Sequence, residues 1–486
     1  MTETPNVVVV VLDTARASDV LSTSPTVMPT LAEIGDAGTT YQNAVATAPW
    51  TLPSHGSLFT GTYPSKHGAH GDNMYLSDEN RTLPEAFSDA GYETLAVSNN
   101  TWVTEEFGFE TGFDTFWKGW QYYQAEKDMG VIAHELGRRA KMRAAFENIP
   151  DGNPLINAVN LIYSEFLQPR TDEGAARTTD RVESWLGDRN DKRPFFLFIN
   201  YLEPHITYRP PREHAKRFLP EGATYEEALD VRQSPCAQNV GEYTLTDREA
   251  TLLHALYRGE LSYVDEAVSQ IRTALEDRGE WDETVLVVLG DHGENIGDHG
   301  FLGHQYNIYD TLLHVPVVIH GGAFTGGQTT DRLIQLHDLV PTLLDETGID
   351  APALREQSQG RSFHPDADAE REFAVSEYIA PQPPVETLEA RFEPLPEYAK
   401  NYDRTLRAIR ADGYKLVVGS DELEMLFDIA EEPREETEIS VAEPEQVEQL
   451  KRQLEEWSES FTHASRDTEA EISGATRERL ADLGYM

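Results

Sequence analysis

Two carboxylates and an imidazole stand at the ends of the two most apolar runs in the chain. Asn6 to Leu12 runs into Asp13-Thr14-Ala15-Arg16, and Val285 to Leu289 runs into Gly290-Asp291-His292-Gly293-Glu294. Uninterrupted apolar runs of this length predict strands buried on both faces, as in a parallel sheet. In open α/β sheets, ligands gather at the carboxyl ends of such strands. An Asp beside a neutral His is half of a divalent-cation site, and an Asp from a second strand extends it. Asp13, Asp291 and His292 are therefore candidate ligands of one divalent ion. Mixed oxygen and nitrogen donors suit Mn2+ or Zn2+, whereas an all-oxygen set suits Ca2+ or Mg2+. The competing reading of each Asp is a helix cap.

A third segment carries a hydroxyl. Ala48-Pro49-Trp50-Thr51-Leu52-Pro53-Ser54-His55-Gly56-Ser57-Leu58-Phe59-Thr60-Gly61 places Thr51 before a rigid proline turn and then small and apolar residues. That pattern presents a nucleophile at a helix start, where amide groups and the helix dipole favour an anion. A plain cap is the alternative for Thr51.

At these residues the chain resembles the sulfatases, within the alkaline-phosphatase superfamily. The sulfatase signature reads Cys or Ser, any residue, Pro, Ser, Arg, two residues, two apolar residues, Thr, Gly. Thr51 to Gly61 follows it except that Thr51 replaces Cys or Ser and His55 replaces Arg. Gly290 to Glu294 resembles the family's metal motif, and Leu256 to Glu266 the helix before it. Glu203-Pro204-His205 resembles a Pro-His substrate-contact segment. Ala408 to Glu436 resembles the C-terminal strands, and Leu480 to Met486 the tail.

The resemblance implies a metal-dependent hydrolase of sulfate or phosphate mono- or diesters. Sulfatases oxidise Cys or Ser to formylglycine. Oxidised threonine would be a ketone, lacking the aldehyde hydrogen, so no formylglycine is expected and Thr51 acts as an unmodified nucleophile. The only cysteine, Cys236, lacks the modification motif. Threonine-dependent relatives act on phosphorus, so phosphoryl transfer is an alternative. A degenerate member that binds an anionic glycan or lipid headgroup is another. The family's second Asp is Thr14 here, and His292 takes the place of its Asn. His205 is expected to contact the substrate anion or protonate the leaving group, and His304 to lie near the ester oxygens. Arg16 is expected to order Thr51 and its loop. His55 and Asn100, the latter in Asn99-Asn100-Thr101-Trp102, occupy substrate-binding positions where the family carries cations. Two missing cations suit a singly charged ester. Glu203, His205 and His304 leave a second metal open. The implied substrates are sulfated or phosphorylated sugars, lipid headgroups or aryl esters.

The chain has 486 residues, 85 acidic against 40 basic, for a net charge of −45. The acids are spread along the chain, which reads as a surface adapted to high salt, as in halophilic archaea. Nucleic acid is excluded as a partner, because phosphate binding needs clustered basic surface. No apolar run approaches the ~20 residues of a membrane span. One cysteine, and an N-terminus without a basic or long apolar leader, point to the cytoplasm.

These residues need an α/β scaffold. The resemblance implies an alkaline-phosphatase-like fold: a mixed, mainly parallel central sheet between helices, plus a small C-terminal β-sheet. Strands are expected at 6–12, 93–98, 195–200, 284–289, 315–319, 406–410 and 414–418. Helices are expected at 28–37, 56–60, 82–90, 134–147, 246–278, 337–347 and 444–461. The catalytic domain is placed at 1–375, with a helical insertion at about 121–190, and a C-terminal α+β subdomain with an acidic helical tail at 376–486.

Overall fold

The computed structural model describes residues 4–121, 171–190, 192–367 and 370–464, with Gln124, Ile156, Thr476 and Leu480. The expected helix at 134–147 and most of the insertion lie outside the described residues. Eight strands form the central sheet: β1 (Asn6–Leu12), β2 (Thr39–Val45), β3 (Glu93–Ser98), β4 (Thr115–Lys118), β5 (Phe195–Tyr201), β6 (Thr284–Gly290), β9 (His314–His320) and β10 (Gln328–Gln335). Their order is β10-β2-β9-β6-β1-β5-β3-β4. The chain between β6 and β9 adds a small hairpin, β7 (Asn295–Ile296) and β8 (Leu302–Gly303).

The sheet is parallel from β6 through β1, β5 and β3 to β4, and β9 runs against both β6 and β2. The strand pleat sends alternate residues to opposite faces. Val7, Val9 and Val11 enter one core with helices α2 (Thr51–Thr60), α3 (Leu83–Asp89) and α6 (Leu339–Thr347). Val8, Val10 and Leu12 enter the other, with α1 (Pro29–Ala37), α4 (Ala175–Asp188) and α5 (Asp247–Arg278). Burial on both faces explains why β1, β5 and β6 read as unbroken apolar runs. Helix α5 starts at a capping box of Thr246 and Glu249 and stops where Gly279 turns to φ 70°.

Register sets the site. Leu12 pairs with both Tyr201 and Gly290, so Asp13 and Asp291 emerge together at neighbouring strand ends. Ser98 pairs with Asn200, which brings the 99–102 turn to the same rim. The central strands agree with the sequence expectation. The flanks do not: β2, β4 and β10 were not anticipated. Polar residues such as Thr40, Gln42 and Asn43 in β2 and Thr329, Thr330 and Asp331 in β10, and the four-residue length of β4, hide a strand signal that depends on neighbours.

Helix α2 starts at Thr51 rather than at residue 56. Pro53 is accommodated in the first turn, where its missing N–H costs nothing, so the proline marks the helix start and not a separate turn.

A four-stranded antiparallel sheet, β11 (Phe373–Tyr378), β12 (Leu406–Ala411), β13 (Tyr414–Gly419) and β14 (Glu424–Asp428), forms the C-terminal unit. Helix α7 (Pro444–Glu459) lays Val447, Leu450, Leu454 and Trp457 on its face.

Candidate active site

Asp13, Asp291 and His292 converge: one ligand atom of each lies within 4.8 Å of the others, and all three are fully buried. His292 Nδ1–H donates to the Gly293 carbonyl at 2.9 Å, which leaves the lone pair on Nε2. That Nε2 is 3.7 Å from Asp13 Oδ1 and 3.5 Å from Asp291 Oδ2. Neither oxygen has a hydrogen-bond donor. Among the described residues no Lys or Arg reaches either carboxylate. Burial, with Asp291 adjacent, pushes Asp13 well above the usual carboxylate range, and burial pushes Asp291 up as well. Burial and neighbouring His304 push His292 well down, so it is neutral. Three buried acceptors facing one point, with no cationic side chain, is an arrangement that a divalent cation satisfies. The residues present fit one such ion.

The remaining carboxylate oxygens are held by the strand-end turns. Asp291 Oδ1 accepts the amides of Thr14 at 3.3 Å and His292 at 3.0 Å. Thr14 reaches this position at φ 62°, a left-handed conformation that costs a β-branched residue about 1–3 kcal/mol. Tyr257 Oη helps hold it there by donating to its carbonyl at 2.9 Å. Gly293 is required for close approach, because a Cβ there would lie 2.1 Å from the Thr311 carbonyl oxygen.

Thr51 Oγ1 joins the cluster at 3.4 Å from His292 Nε2. Asn100 Nδ2 donates to Thr51 Oγ1 at 3.2 Å and to Asp13 Oδ2 at 2.5 Å. Ser54, one turn into α2, donates to the Asp291 carbonyl at 2.7 Å and locks helix to motif. His55 Nδ1 donates to the Thr51 carbonyl at 2.9 Å, and its ring edges onto Phe109 and Phe198. Burial pushes His55 down to about 4, so this position carries a neutral ring. His55 Nε2 then accepts from Asn200 at 3.4 Å.

His205 and His304 lie on the same rim with rings 5.2 Å apart, and His304 is 4.7 Å from the His292 ring. Burial and His304 push His205 down to about 4. Arg16 does not reach Thr51. Its guanidinium pairs with Asp298 at 2.9 Å and with Asp19 at 3.5 Å, and donates to the Glu294 carbonyl at 3.3 Å. It braces the far side of the metal motif. Glu203 turns away from the rim, and its Oε1 accepts the amides of Glu173 and Ala175 at 2.9 and 3.3 Å. Among the described residues, Glu203, His205 and His304 form no second ligand group.

A family model described as Sulfatase matches residues 5–349. The chain belongs to the sulfatase family. Its class is that of the sulfuric and phosphoric ester hydrolases. It is 22% identical over 468 residues to a sulfatase of Formosa agariphila, covering 89% of this chain and 82% of that protein. It is 24% identical over 370 residues to an arylsulfatase of Clostridium perfringens, covering 72% and 76%. The crystal structure of the phosphonate monoester hydrolase of Agrobacterium radiobacter superposes with a TM-score of 0.66 at 19% identity, covering 93% of this chain and 95% of that one.

Within this sulfatase fold, three site residues escaped the sequence reading. Asn200 ends the apolar run of β5 as Asp13 and Asp291 end theirs, which was the available signal. Ser54 lay inside the quoted helix. Glu294 lay inside the metal motif, but its role depends on the hairpin that follows.

Proposed function

We propose that the chain cleaves a small, singly charged sulfate or phosphate ester, with Thr51 as an unmodified nucleophile. The ester would belong to a sulfated or phosphorylated sugar, a lipid headgroup or an aryl alcohol. One observation carries the reading: Thr51 Oγ1, 3.4 Å from His292 Nε2, faces the same point as the donorless oxygens of Asp13 and Asp291. A divalent ion held there by Asp13, Asp291 and His292 would lower the pKa of a nearby hydroxyl and polarise the ester oxygens.

The protein's own groups complete the argument. Asn100 donates to Thr51 Oγ1 and so favours its ionised form. Thr51 is the first residue of α2, and the N-cap residue Trp50 supplies no capping side chain, so the helix start favours anionic oxygens. His205 and His304 stand on the leaving-group side as proton carriers. Neutral His55 and Asn100 replace cations, which suits one negative charge on the ester rather than two. The net charge of −45 supports a salt-rich cytoplasm as the working environment.

The test uses chromogenic sulfate esters and phosphate mono- and diesters. Thr51→Ala is expected to lose roughly three orders of magnitude or more in turnover while keeping its metal content. Thr51→Ser, with the same oxygen, retains much more. Peptide mass spectrometry is expected to find residue 51 unmodified. Turnover by Thr51→Ala at the parent rate would place the nucleophile elsewhere.

A further inference from the structure

Helix α5 sends one side chain to the turn that carries Asp13. Tyr257 is fully buried, and its ring meets Tyr208 edge-on at 5.5 Å. Its hydroxyl accepts the Arg16 amide at 2.8 Å and donates to the Thr14 carbonyl at 2.9 Å. One oxygen therefore bridges two backbone groups of a turn that lies 241 to 243 positions away in the chain. The turn is strained where the bridge closes it. Thr14 sits at φ 62°, a conformation that β-branched residues avoid. The Thr14 amide also supports Asp291 Oδ1 at 3.3 Å, and the residue before it is Asp13. Relaxation of Thr14 to an ordinary φ would carry Asp13 away from Asp291 or take the amide from Asp291 Oδ1. Strain of this kind persists only where surrounding contacts over-determine it. The Tyr257 hydroxyl is such a contact, and it acts on the ligands through the backbone.

We propose that Tyr257 is a positioning residue for the cation: its hydroxyl holds Thr14 in the left-handed turn and so keeps Asp13 and the amide behind Asp291 in the arrangement that binds the ion. The inference rests on the reading of Asp13, Asp291 and His292 as ligands of one divalent ion. A turn that samples other conformations binds the ion more weakly, in proportion to the fraction in which it is correctly formed. Glycine adopts a positive φ without a steric penalty. The need for the bridge therefore falls away when residue 14 is glycine. A side chain that merely packed the fold would show no such dependence on residue 14.

The test titrates Mn2+ into chelator-stripped protein by calorimetry, for the parent, Tyr257→Phe, Thr14→Gly and the double variant. Tyr257→Phe keeps the ring and loses the oxygen. Its dissociation constant is expected to rise roughly 10- to 100-fold. Thr14→Gly stays within about threefold of the parent, and the double variant within about fivefold. Unchanged affinity in Tyr257→Phe overturns the proposal. So does a double variant, or a Thr14→Gly variant, as weak as Tyr257→Phe, because the hydroxyl would then act otherwise than by holding this turn. Folding lost in Tyr257→Phe and not restored by Thr14→Gly overturns it as well. A stripped parent that binds none of Mn2+, Zn2+ and Ca2+ refutes the metal reading itself, and the inference with it, whereas a parent that binds beside a Tyr257→Phe that binds equally well refutes the inference alone.

Discussion

Two of the buried charge clusters among the described residues are built on opposite terms. Where the C-terminal sheet meets the catalytic part, Lys415 lies 2.8 Å from Asp310 and 2.7 Å from Glu435, and Arg410 lies 3.0 Å from Asp310. Two acids face two bases. Although burial opposes it, Arg410 and Lys415 hold Asp310 below the usual carboxylate range. At the strand ends, Asp13 and Asp291 face His292, which burial keeps neutral, and among the described residues no Lys or Arg balances them. The first cluster is complete as it stands and serves to join two units. The second lacks positive charge, a deficit that a bound divalent cation would make up. Charge balance separates a structural cluster from a functional one where burial alone does not.

The comparison breaks if the deficit has no consequence. Asp291→Asn removes one donorless carboxylate oxygen and should abolish metal binding. Turnover should fall by about three orders of magnitude or more, since the ion's charge stabilisation amounts to several kcal/mol. Elemental analysis and chromogenic turnover check both, and chelation should lower the melting temperature of the parent but not of the variant. Lys415→Met tests the other side. It strands Asp310 and Glu435 without their shared cation and should cost about 3–5 kcal/mol in urea denaturation. Full stability in that variant would show the cluster to be unimportant. Across the whole surface, the net charge of −45 predicts a melting temperature that climbs from dilute buffer to molar KCl.

How much of this was legible in the sequence follows the physics of each element. Strands buried on both faces announce themselves, so β1, β5 and β6 and the residues at their ends were readable, as were Asp13, Asp291, His292 and Thr51. Strands rich in polar residues draw their stability from neighbours, so β2 and β10 were not. The contact of Glu294 with His304 depends on the register of a hairpin two residues wide, which composition does not encode. Arg16 was legible as a charge near the motif, but its partner Asp298 lies 282 positions away, and only the fold assigns it. Helix α2 was misplaced at its start because a proline was read as a turn, although it fits a first helical turn equally well.

A third kind of buried titratable group sharpens the contrast, because it is neither paired nor waiting for a ligand. His67 Nε2–H donates to the Pro53 carbonyl at 3.1 Å, and Nδ1 accepts the Ala69 amide at 3.1 Å. Both ring nitrogens are therefore committed to the neutral tautomer. A proton added at Nδ1 would face an N–H donor. The ring also fills the space beside Gly56, where a Cβ would lie 2.6 Å from it. Burial pushes His67 down to about 3 from its ordinary 6.5. The unfolded chain then binds a proton below pH 6.5 that the folded chain refuses until about pH 3. The stability associated with neutral His67 is complete above pH 6.5 and drains away as the pH falls toward 3, at up to about 1.4 kcal/mol per pH unit. His67→Gln, measured by urea denaturation between pH 6.5 and 5, should lose stability less steeply than the parent by about that slope. An unchanged slope would mean that His67 takes up its proton in the folded protein, and that its neutral hydrogen bonds do not govern it.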